Sequence, residues 1–449
     1  MALCSYQHAD SLVELSLSPL FHHQFSSIYK AIHDLASDAL SYEKVAKKIM
    51  DFCLRYAKKQ KRVRLQTDVT PVIKVHSPTL ENRQYVKKSN NVIKGNKPVS
   101  IGYPLSSINL SGASKWSLPL LRARVPLIHT ESSFAVEQLK ALLPDLLTTL
   151  ASDLVINTTD SGYTHAAYLS PLYEEEKLVC ISRFRYGTKV FTPAKGDNKI
   201  GAKKIYDQCF YLRDTSRVVK GKSPKTGLPY EKEQISIYDL PGAEVQLLEA
   251  TTSKGRALFV ELHRWNDLKI RSKNGHCMKA KPFDLVGVKI VDAKTGELVF
   301  SRDLFFGIFG KRKKEVSIEE AYQDYRHRYD IEPSFRFNKQ NMFLDSYDCE
   351  EAQHFDNFLL VNQLANWLLY VAADEVEFIP RKWEQNKTKP KPKPDKLSIS
   401  KTYRSTEKLF STFEKEPFLP KTSKKGKGKI KKKRIHYKVV KKTKIKPPS

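Results

Sequence analysis

Cysteine is scarce in this chain and long apolar runs are missing, and each absence excludes something. Cys4, Cys53, Cys180, Cys209, Cys277 and Cys349 are the six cysteines among 449 residues. None of their spacings is zinc-like, so they read as reduced thiols of a cytosolic protein rather than a disulfide framework. The 12 histidines are scattered, with only His22-His23 adjacent, and neither HExxH nor a paired CxxC occurs. No phosphate-binding P-loop is present, which argues against an ATP-driven enzyme. The most apolar window, Phe358 to Ala373, is interrupted by Asn362, Gln363 and Asn366. It is too short and too polar for a bilayer span and reads as a core helix. The N-terminus lacks the basic stretch and apolar core of a signal peptide, so no membrane role is expected. There is no internal repeat.

Positive charge is what abounds. The chain carries 78 Lys+Arg against 49 Asp+Glu, a net +29. Residues 381–449 hold 25 Lys+Arg and 5 Asp+Glu, a net +20, leaving +9 for residues 1–380. The stretch Lys387 to Pro394 alternates Lys and Pro in its second half and should be extended and polyproline-like. The runs Lys424–Lys429 and Lys431–Arg434 are too charged to bury. The tail therefore reads as a disordered polycation holding nucleic-acid phosphates, with a plain solubility tail, or a tail helix docked on the core through Leu409, Phe410, Phe413, Phe418 and Leu419, as alternatives. A nucleoid-packaging or RNA-binding protein would explain this tail on its own.

Such a protein would leave two upstream aspartates idle. Val63-Arg64-Leu65-Gln66-Thr67-Asp68-Val69 alternates like a half-buried strand, with Val63, Leu65 and Val69 on one face and Asp68 on the other. Val69-Thr70-Pro71 then allows the strand to end or reach an edge. Leu154-Val155-Ile156 is a continuous apolar run of the buried parallel-strand kind. It leads through Thr159 into Asp160 and breaks at Ser161-Gly162, which sets Asp160 at the carboxyl end of a strand, where open α/β sheets hold ligands. A helix is expected from near Thr164. An aspartate in either place is also an ordinary cap or turn residue.

Further on stands Tyr325-x2-Arg328-x3-Glu332-x6-Lys339. On a regular helix these side chains fall at about 0°, 300°, 340° and 320°, a stripe about 60° wide. An aromatic, two cations and a carboxylate on one face suit a metal-binding acid flanked by phosphate-binding groups, although Arg328/Glu332 is also an i, i+4 ion pair. Pro333 disfavours helix at Glu332, so either the helix kinks there or a new one starts with Pro333 at its first position.

The spacing resembles the Tyr–Arg–Glu–Lys signature of one branch of the DDE insertion-sequence transposases. Thr67-Asp68-Val69-Thr70 and Thr159-Asp160-Ser161-Gly162-Tyr163 are similar to that family's aspartate motifs. The resemblance covers roughly residues 60–375. It implies an α/β fold, with an RNase H-like mixed sheet flanked by helices and a β-rich insertion before the Glu-bearing helix. It also implies metal-dependent cleavage at transposon ends and strand transfer to target DNA inside a homodimeric synapse. The metals would be two Mg²⁺ (or Mn²⁺) on Asp68, Asp160 and Glu332, with Asp68 bridging. Arg328 and Lys339 would clamp phosphates, and Tyr325 would contact the terminal nucleotide's backbone. Trp265 would stack a flipped base, although a single Trp is more often core. The expected place is the prokaryotic cytoplasm, at the nucleoid. A domesticated relative that keeps only DNA binding and an RNase H-like nuclease remain alternatives.

The expected organisation follows. Residues 1–60 form an N-terminal helical region, 61–184 the first part of the core, and 185–314 the β insertion. Residues 315–380 complete the core, and 381–449 are the Lys-rich disordered tail. Strands are expected at 63–73, 98–109, 115–125, 153–159 and 177–184, with helices at 133–148 and 164–174. Within the insertion Ala257–Leu262, Phe283–Val291 and Glu297–Phe305 read as strands, the last two joined by the loop Asp292–Gly296. Ser317 with Glu320 makes a capping box where helix resumes.

Overall fold

A computed structural model describes residues 1–7, 9–18, 20–21, 23, 25–87, 99–185, 187–194, 204–212, 218–222, 226–233, 235–252, 255–271, 278–381, 396–411 and 436–440. The helices are α1 (Ala2–Ser5), α2 (Leu12–Leu15), α3 (Phe25–His33), α4 (Ala39–Tyr56), α5 (Glu131–Thr149), α6 (Ala166–Tyr173), α7 (Ile318–His327), α8 (Ile331–Asn341) and α9 (Ala352–Ala372). The strands begin with β1 (Arg62–Ile73), β2 (Gln84–Lys87), β3 (Val99–Ser111), β4 (Ser117–Arg124), β5 (Leu154–Thr159), β6 (Leu178–Arg183) and β7 (Lys189–Pro193). They continue with β8 (Tyr206–Tyr211), β9 (Val218–Lys222), β10 (Pro229–Glu233), β11 (Glu244–Thr251), β12 (Ala257–Leu268), β13 (Phe283–Asp292) and β14 (Leu304–Phe309). The chain divides into two compact units, one of residues 1–152 and 329–445, the other essentially residues 153–328.

In the first unit β3 is the organising strand. One edge pairs antiparallel with β1, and the other takes β2 near its start and β4 further on. Asp68 lies opposite Ser107, and Ser107 lies opposite Arg122 of β4. The strand carrying Asp68 does not stop at Pro71. Pro71 faces Pro104 in the register and β1 runs on to Ile73, because neither proline has an N–H to leave unmatched. Gly102 is required where these strands meet, since a Cβ there would lie 1.9 Å from Val72 O. Helix α5 starts at a Thr130–Ser133 capping box and buries Ala135, Leu139, Leu142, Leu143 and Leu146, a helical repeat that packs on β3 and β1. Helix α9, the apolar window of the sequence, lies against β4, and α3 and α4 lie against α9.

The basic tail is not unstructured throughout, and this corrects the expectation for residues 381–449. Ile399–Ser411 is a helix packed on α1, α8 and α9. Leu397, Thr402, Tyr403, Ser405 and Thr406 are buried. Trp116 Nε1 donates to Leu397 O at 2.6 Å, and Thr406 Oγ1 donates to Cys4 O at 2.6 Å. The charge of the whole tail hides this short amphipathic stretch, whose buried face is made largely of hydroxyls. Val440 N also donates to Arg83 O, at 2.9 Å, beside β2. The runs Lys387–Pro394 and Lys424–Arg434 lie outside the described residues.

The second unit holds a mixed six-stranded sheet in the order β11-β12-β13-β14-β6-β5. Only β5–β6 is parallel, and the other four pairings are antiparallel. The strands expected of an insertion are therefore continuous with β6, because β14 takes up the edge that β6 would otherwise expose. Leu154, Ile156, Val179, Ile181, Val286, Phe306 and Ile308 form its core with Ile318, Ala321, Tyr322 and Tyr325 of α7. One boundary differs from the sequence reading. The strand expected at 297–305 is instead Leu304–Phe309. Asp292 Oδ1 accepts from Lys294 N at 2.7 Å and Thr295 N at 3.0 Å, which holds the turn. Leu298 and Phe300 stay exposed while Phe306, Ile308 and Phe309 are buried. A buried ion cluster then fixes the entry to α7. Arg264 bonds Asp284 at 2.6 Å, and Lys313 reaches both Asp284 and, at 2.8 Å, Asp267. Ser317 Oγ accepts from Glu320 N at 3.1 Å to start the helix.

The C-terminal helix supplies the stability test. Tyr403, 6 % exposed, meets Phe337 edge-on at 5.4 Å. Tyr403→Ala should cost about 3 kcal/mol in urea unfolding, as expected for loss of a packed aromatic. An unchanged unfolding midpoint would return the segment to a solvated tail.

Candidate functional site

Asp68 sits mid-strand on β1, partly exposed, between the fully buried Thr67 and the partly exposed Val69. Its Oδ1 accepts from Val69 N at 2.8 Å. Buried Gln66 and Thr67 beside it show that this strand is not the simple apolar-in, polar-out alternation read from the sequence. Asp160 is the first residue beyond β5. Its Oδ1 accepts from Gly162 N at 2.7 Å, and its carbonyl accepts from Tyr163 N at 3.3 Å. The carboxylate thus closes its own turn while remaining partly exposed. Gly162 is needed for this, because a Cβ there would lie 2.8 Å from Asp160 Oδ1.

The Tyr–Arg–Glu–Lys residues are not carried on one regular helix. Helix α7 ends at His327, a 3₁₀ turn spans Arg328–Asp330, and α8 begins at Ile331. A new helix does start at this point, with Pro333 at its third position rather than its first. The tighter turn between them breaks the 100° arithmetic that placed all four on one stripe. Glu332 and Lys339, seven residues apart within α8, do share a face. Glu332 is exposed in the first turn of α8, where a carboxylate complements the helix dipole. Lys339, its side chain 21 % exposed, donates from Nζ to Pro71 O, three residues beyond Asp68.

The other three nucleic-acid candidates are interior residues. Tyr325 is 0 % exposed and stacks on Phe306 at 5.1 Å and 11°. Arg328 is buried as well. Trp265 is 2 % exposed, packed edge-on against Tyr238 at 5.3 Å and stacked on His263 at 5.7 Å. In this state none of them offers a face to a base or a backbone phosphate. Aromatic packing accounts for Tyr325 and Trp265, because large rings bury more apolar surface than any other side chains.

Asp68, Glu332 and Lys339 belong to the first unit, and Asp160, Trp265, Tyr325 and Arg328 to the second. Among the described residues no group of three His, Cys, Asp or Glu side chains is gathered closely enough to hold a metal ion. The donor chemistry of Asp68, Asp160 and Glu332 nonetheless suits a hard divalent cation, which takes carboxylate oxygen.

Sequence reasoning missed a buried polar network beside Asp68. Arg122, 2 % exposed, donates from NH1 to Asn362 Oδ1 at 2.6 Å and Asn338 Oδ1 at 3.3 Å, and from Nε to Ser107 Oγ at 3.4 Å. Burial pushes its guanidinium down to about 9. Asn366 Nδ2 donates to Asn338 Oδ1 at 2.7 Å and extends the network. The signal was present in the amides that interrupt the apolar window of α9, where nothing but a buried partner justifies them.

A family model described as "DDE superfamily endonuclease" matches residues 1–208. The match takes in Asp68 and Asp160. Glu332 and the Tyr–Arg–Glu–Lys spacing lie beyond it. It supports a DDE-type family and nuclease- or transposase-type activity in general, which implies a DNA substrate and, for such domains generally, divalent metals. The mixed α/β fold, with helices against its strands, is consistent with an RNase H-like DDE fold. No curated protein matches the chain. No helix among the described residues is long and apolar enough to cross a membrane.

Two substitutions separate the roles. Tyr325→Ala should destabilise the fold by about 3–5 kcal/mol, as a core aromatic does. Normal stability with weakened DNA binding would make it a surface contact instead. Gly162→Ala should leave stability within about 1 kcal/mol, because the carboxylate it strikes can swing aside. Displacing Asp160 should still slow metal-dependent DNA cleavage, and an unchanged rate would remove Asp160 from the site.

Proposed function

We propose that this chain is a DDE transposase, which cuts DNA at the ends of its element and joins the freed 3′-hydroxyls to target DNA. The observation that carries the reading is the chain order and setting of the three carboxylates. Asp68 is on a strand, Asp160 follows the carboxyl end of another, and Glu332 is exposed at the head of a helix. The match to a DDE endonuclease family over the first two supports it. In this reading Asp68, Asp160 and Glu332 hold two divalent cations. When bound, these would activate the attacking hydroxyl and neutralise charge on the leaving oxygen. The Tyr–Arg–Glu–Lys branch, the homodimeric synapse and a place at the nucleoid belong to the same proposal.

DNA would be held first by charge. The chain's net +29 and its Lys-rich runs favour a polyanion without reading its sequence. Of the stripe, Lys339 keeps partial access to a phosphate. Arg328, Tyr325 and Trp265 would reach DNA only after a local rearrangement.

A second reading is a metal-dependent endonuclease that cuts without joining. Two facts favour it: the matched family is described as an endonuclease, and the match ends before Glu332. A strand-transfer assay with pre-cut ends separates the two, since a transposase yields joined products and a nuclease only fragments.

Asp68→Ala, Asp160→Ala and Glu332→Ala should each abolish Mg²⁺- or Mn²⁺-dependent cleavage while the protein stays folded. Near wild-type cutting by any of them would exclude that residue. Replacing Lys424, Lys425, Lys427, Lys429, Lys431, Lys432, Lys433 and Arg434 by serine should weaken non-specific DNA binding. The plot of log K against log salt should flatten by about 0.9 for each phosphate no longer neutralised. An unchanged slope would make these residues a solubility device.

A further inference from the structure

The geometry points to Arg122 as a positioning residue, a buried cation that fixes the Glu332-bearing helix α8 on the sheet face where Asp68 lies. The inference rests on the reading of Asp68 and Glu332 as metal ligands, and it concerns only the first unit.

Register places Asp68 and Arg122 on one face of the sheet. Asp68, Ser107 and Arg122 are directly paired across β1, β3 and β4. Side chains directly opposite one another share a face of the sheet. Arg122 confirms that face by donating from Nε to Ser107 Oγ at 3.4 Å. Gln66, two residues before Asp68 and therefore on the same face, accepts from Ser117 Oγ at 2.5 Å. Two neighbouring rows of this face are thus polar, and apart from the partly exposed Asp68 they are buried, in a place where a sheet covered by helices is ordinarily apolar.

Helix α8 lies against β1 and β4. Three side chains along it are tied to these strands. Ser334 Oγ donates to Ser117 O at 3.0 Å, Asn338 Oδ1 accepts from Arg122 NH1 at 3.3 Å, and Lys339 Nζ donates to Pro71 O. Ser334 and Asn338 lie about 160° and 120° round the helix from Glu332, so these two tethers hold the buried side of α8, while Lys339, about 20° from Glu332, reaches β1 from the flank where Glu332 stays exposed. The same guanidinium also grips α9 through Asn362 Oδ1 at 2.6 Å.

The chemistry of Arg122 is hard to explain by packing alone. Among the described residues its hydrogen-bond partners are all neutral, and its second terminal nitrogen has none. A buried charge without a carboxylate is costly, and an apolar residue would fill the same space without that cost. What the guanidinium adds is a rigid planar fork bonding two helices and a strand at fixed angles. Such an outer-shell anchor would set the separation of two carboxylates that share metals.

The test uses the full-length protein, with Mn²⁺ as the probe and plasmid DNA as the substrate. Mn²⁺ binding without DNA is read by electron paramagnetic resonance, and single-turnover cleavage and DNA affinity are read separately. For Arg122→Gln, Mn²⁺ half-saturation should rise about tenfold and the cleavage rate fall about tenfold. DNA affinity should stay within about twofold, because Arg122 is out of reach of a phosphate. Arg122→Lys, which keeps the charge, should recover part of both losses. A folded Arg122→Gln at wild-type Mn²⁺ affinity and rate overturns the proposal. Should that variant not fold, Ser334→Ala replaces it, cutting one tether only, and wild-type values from it overturn the proposal equally. A different outcome marks failure of the underlying reading. If the wild-type protein neither binds Mn²⁺ nor cuts DNA in a manner dependent on Asp68 and Glu332, the metal site is absent and the proposal falls with it.

Discussion

The antiparallel register of β1, β3 and β4 is the constraint on which the first unit depends. It is fixed by side chains that tolerate no slip. Gly102 admits the backbone of Val72 at a distance no other residue allows, and Pro71 meets Pro104 where neither has an N–H to place. A shift by one residue would turn Asp68 to the opposite face of the sheet and leave Arg122 buried without its amide partners. The penalty for an unpaired buried guanidinium makes that alternative expensive. Polar groups in this core therefore specify one arrangement more sharply than hydrocarbon would, because hydrogen bonds have direction and apolar contacts do not.

The second unit achieves order differently. Its sheet and α7 share an apolar core, and Tyr325 and Trp265 are among its fully buried aromatics. The ion cluster of Arg264, Asp284 and Lys313 pairs its charges directly, in contrast to the neutral company of Arg122. Asp160 belongs to this unit but is held locally, by the turn it forms with Gly162. Its position is set by the end of β5, and Arg185 Nε braces the turn by donating to Ser161 O at 3.0 Å.

Much of this was legible in the sequence. The strand ending before Asp160 and the helix after it follow from local apolar runs and turn chemistry, which act over a few residues, and the strand through Asp68 was legible in place though not in its two-sided burial. The stripe from Tyr325 to Lys339 was legible as spacing and misleading as geometry. A 3₁₀ turn at Arg328–Asp330 changes the angle per residue, and Pro333 announced a break in the helix but not the tightened turn ahead of it. The burial of Tyr325, Arg328 and Trp265 depends on strands distant in the chain and has no local signature. The docked helix at Ile399–Ser411 was legible only as the alternative built on apolar Leu409 and Phe410, because net charge averaged over the tail says nothing of the face that carries Tyr403 and Thr406. The amides of the α9 window hinted at a buried partner, but Arg122 itself was not legible, since Asn338 and Asn362 lie more than 200 residues away.

Asp68, Asp160 and Glu332 are proposed to serve one metal site. This is tested most directly by replacing Mg²⁺ with Fe²⁺ and generating hydroxyl radicals with ascorbate and peroxide, which cut a polypeptide close to the bound iron. The account predicts three clusters of backbone cuts, around residues 68, 160 and 332, all suppressed together by excess Mg²⁺ and all lost together in Asp68→Ala. Cuts confined to one of these places, or centred on His22-His23, would contradict it.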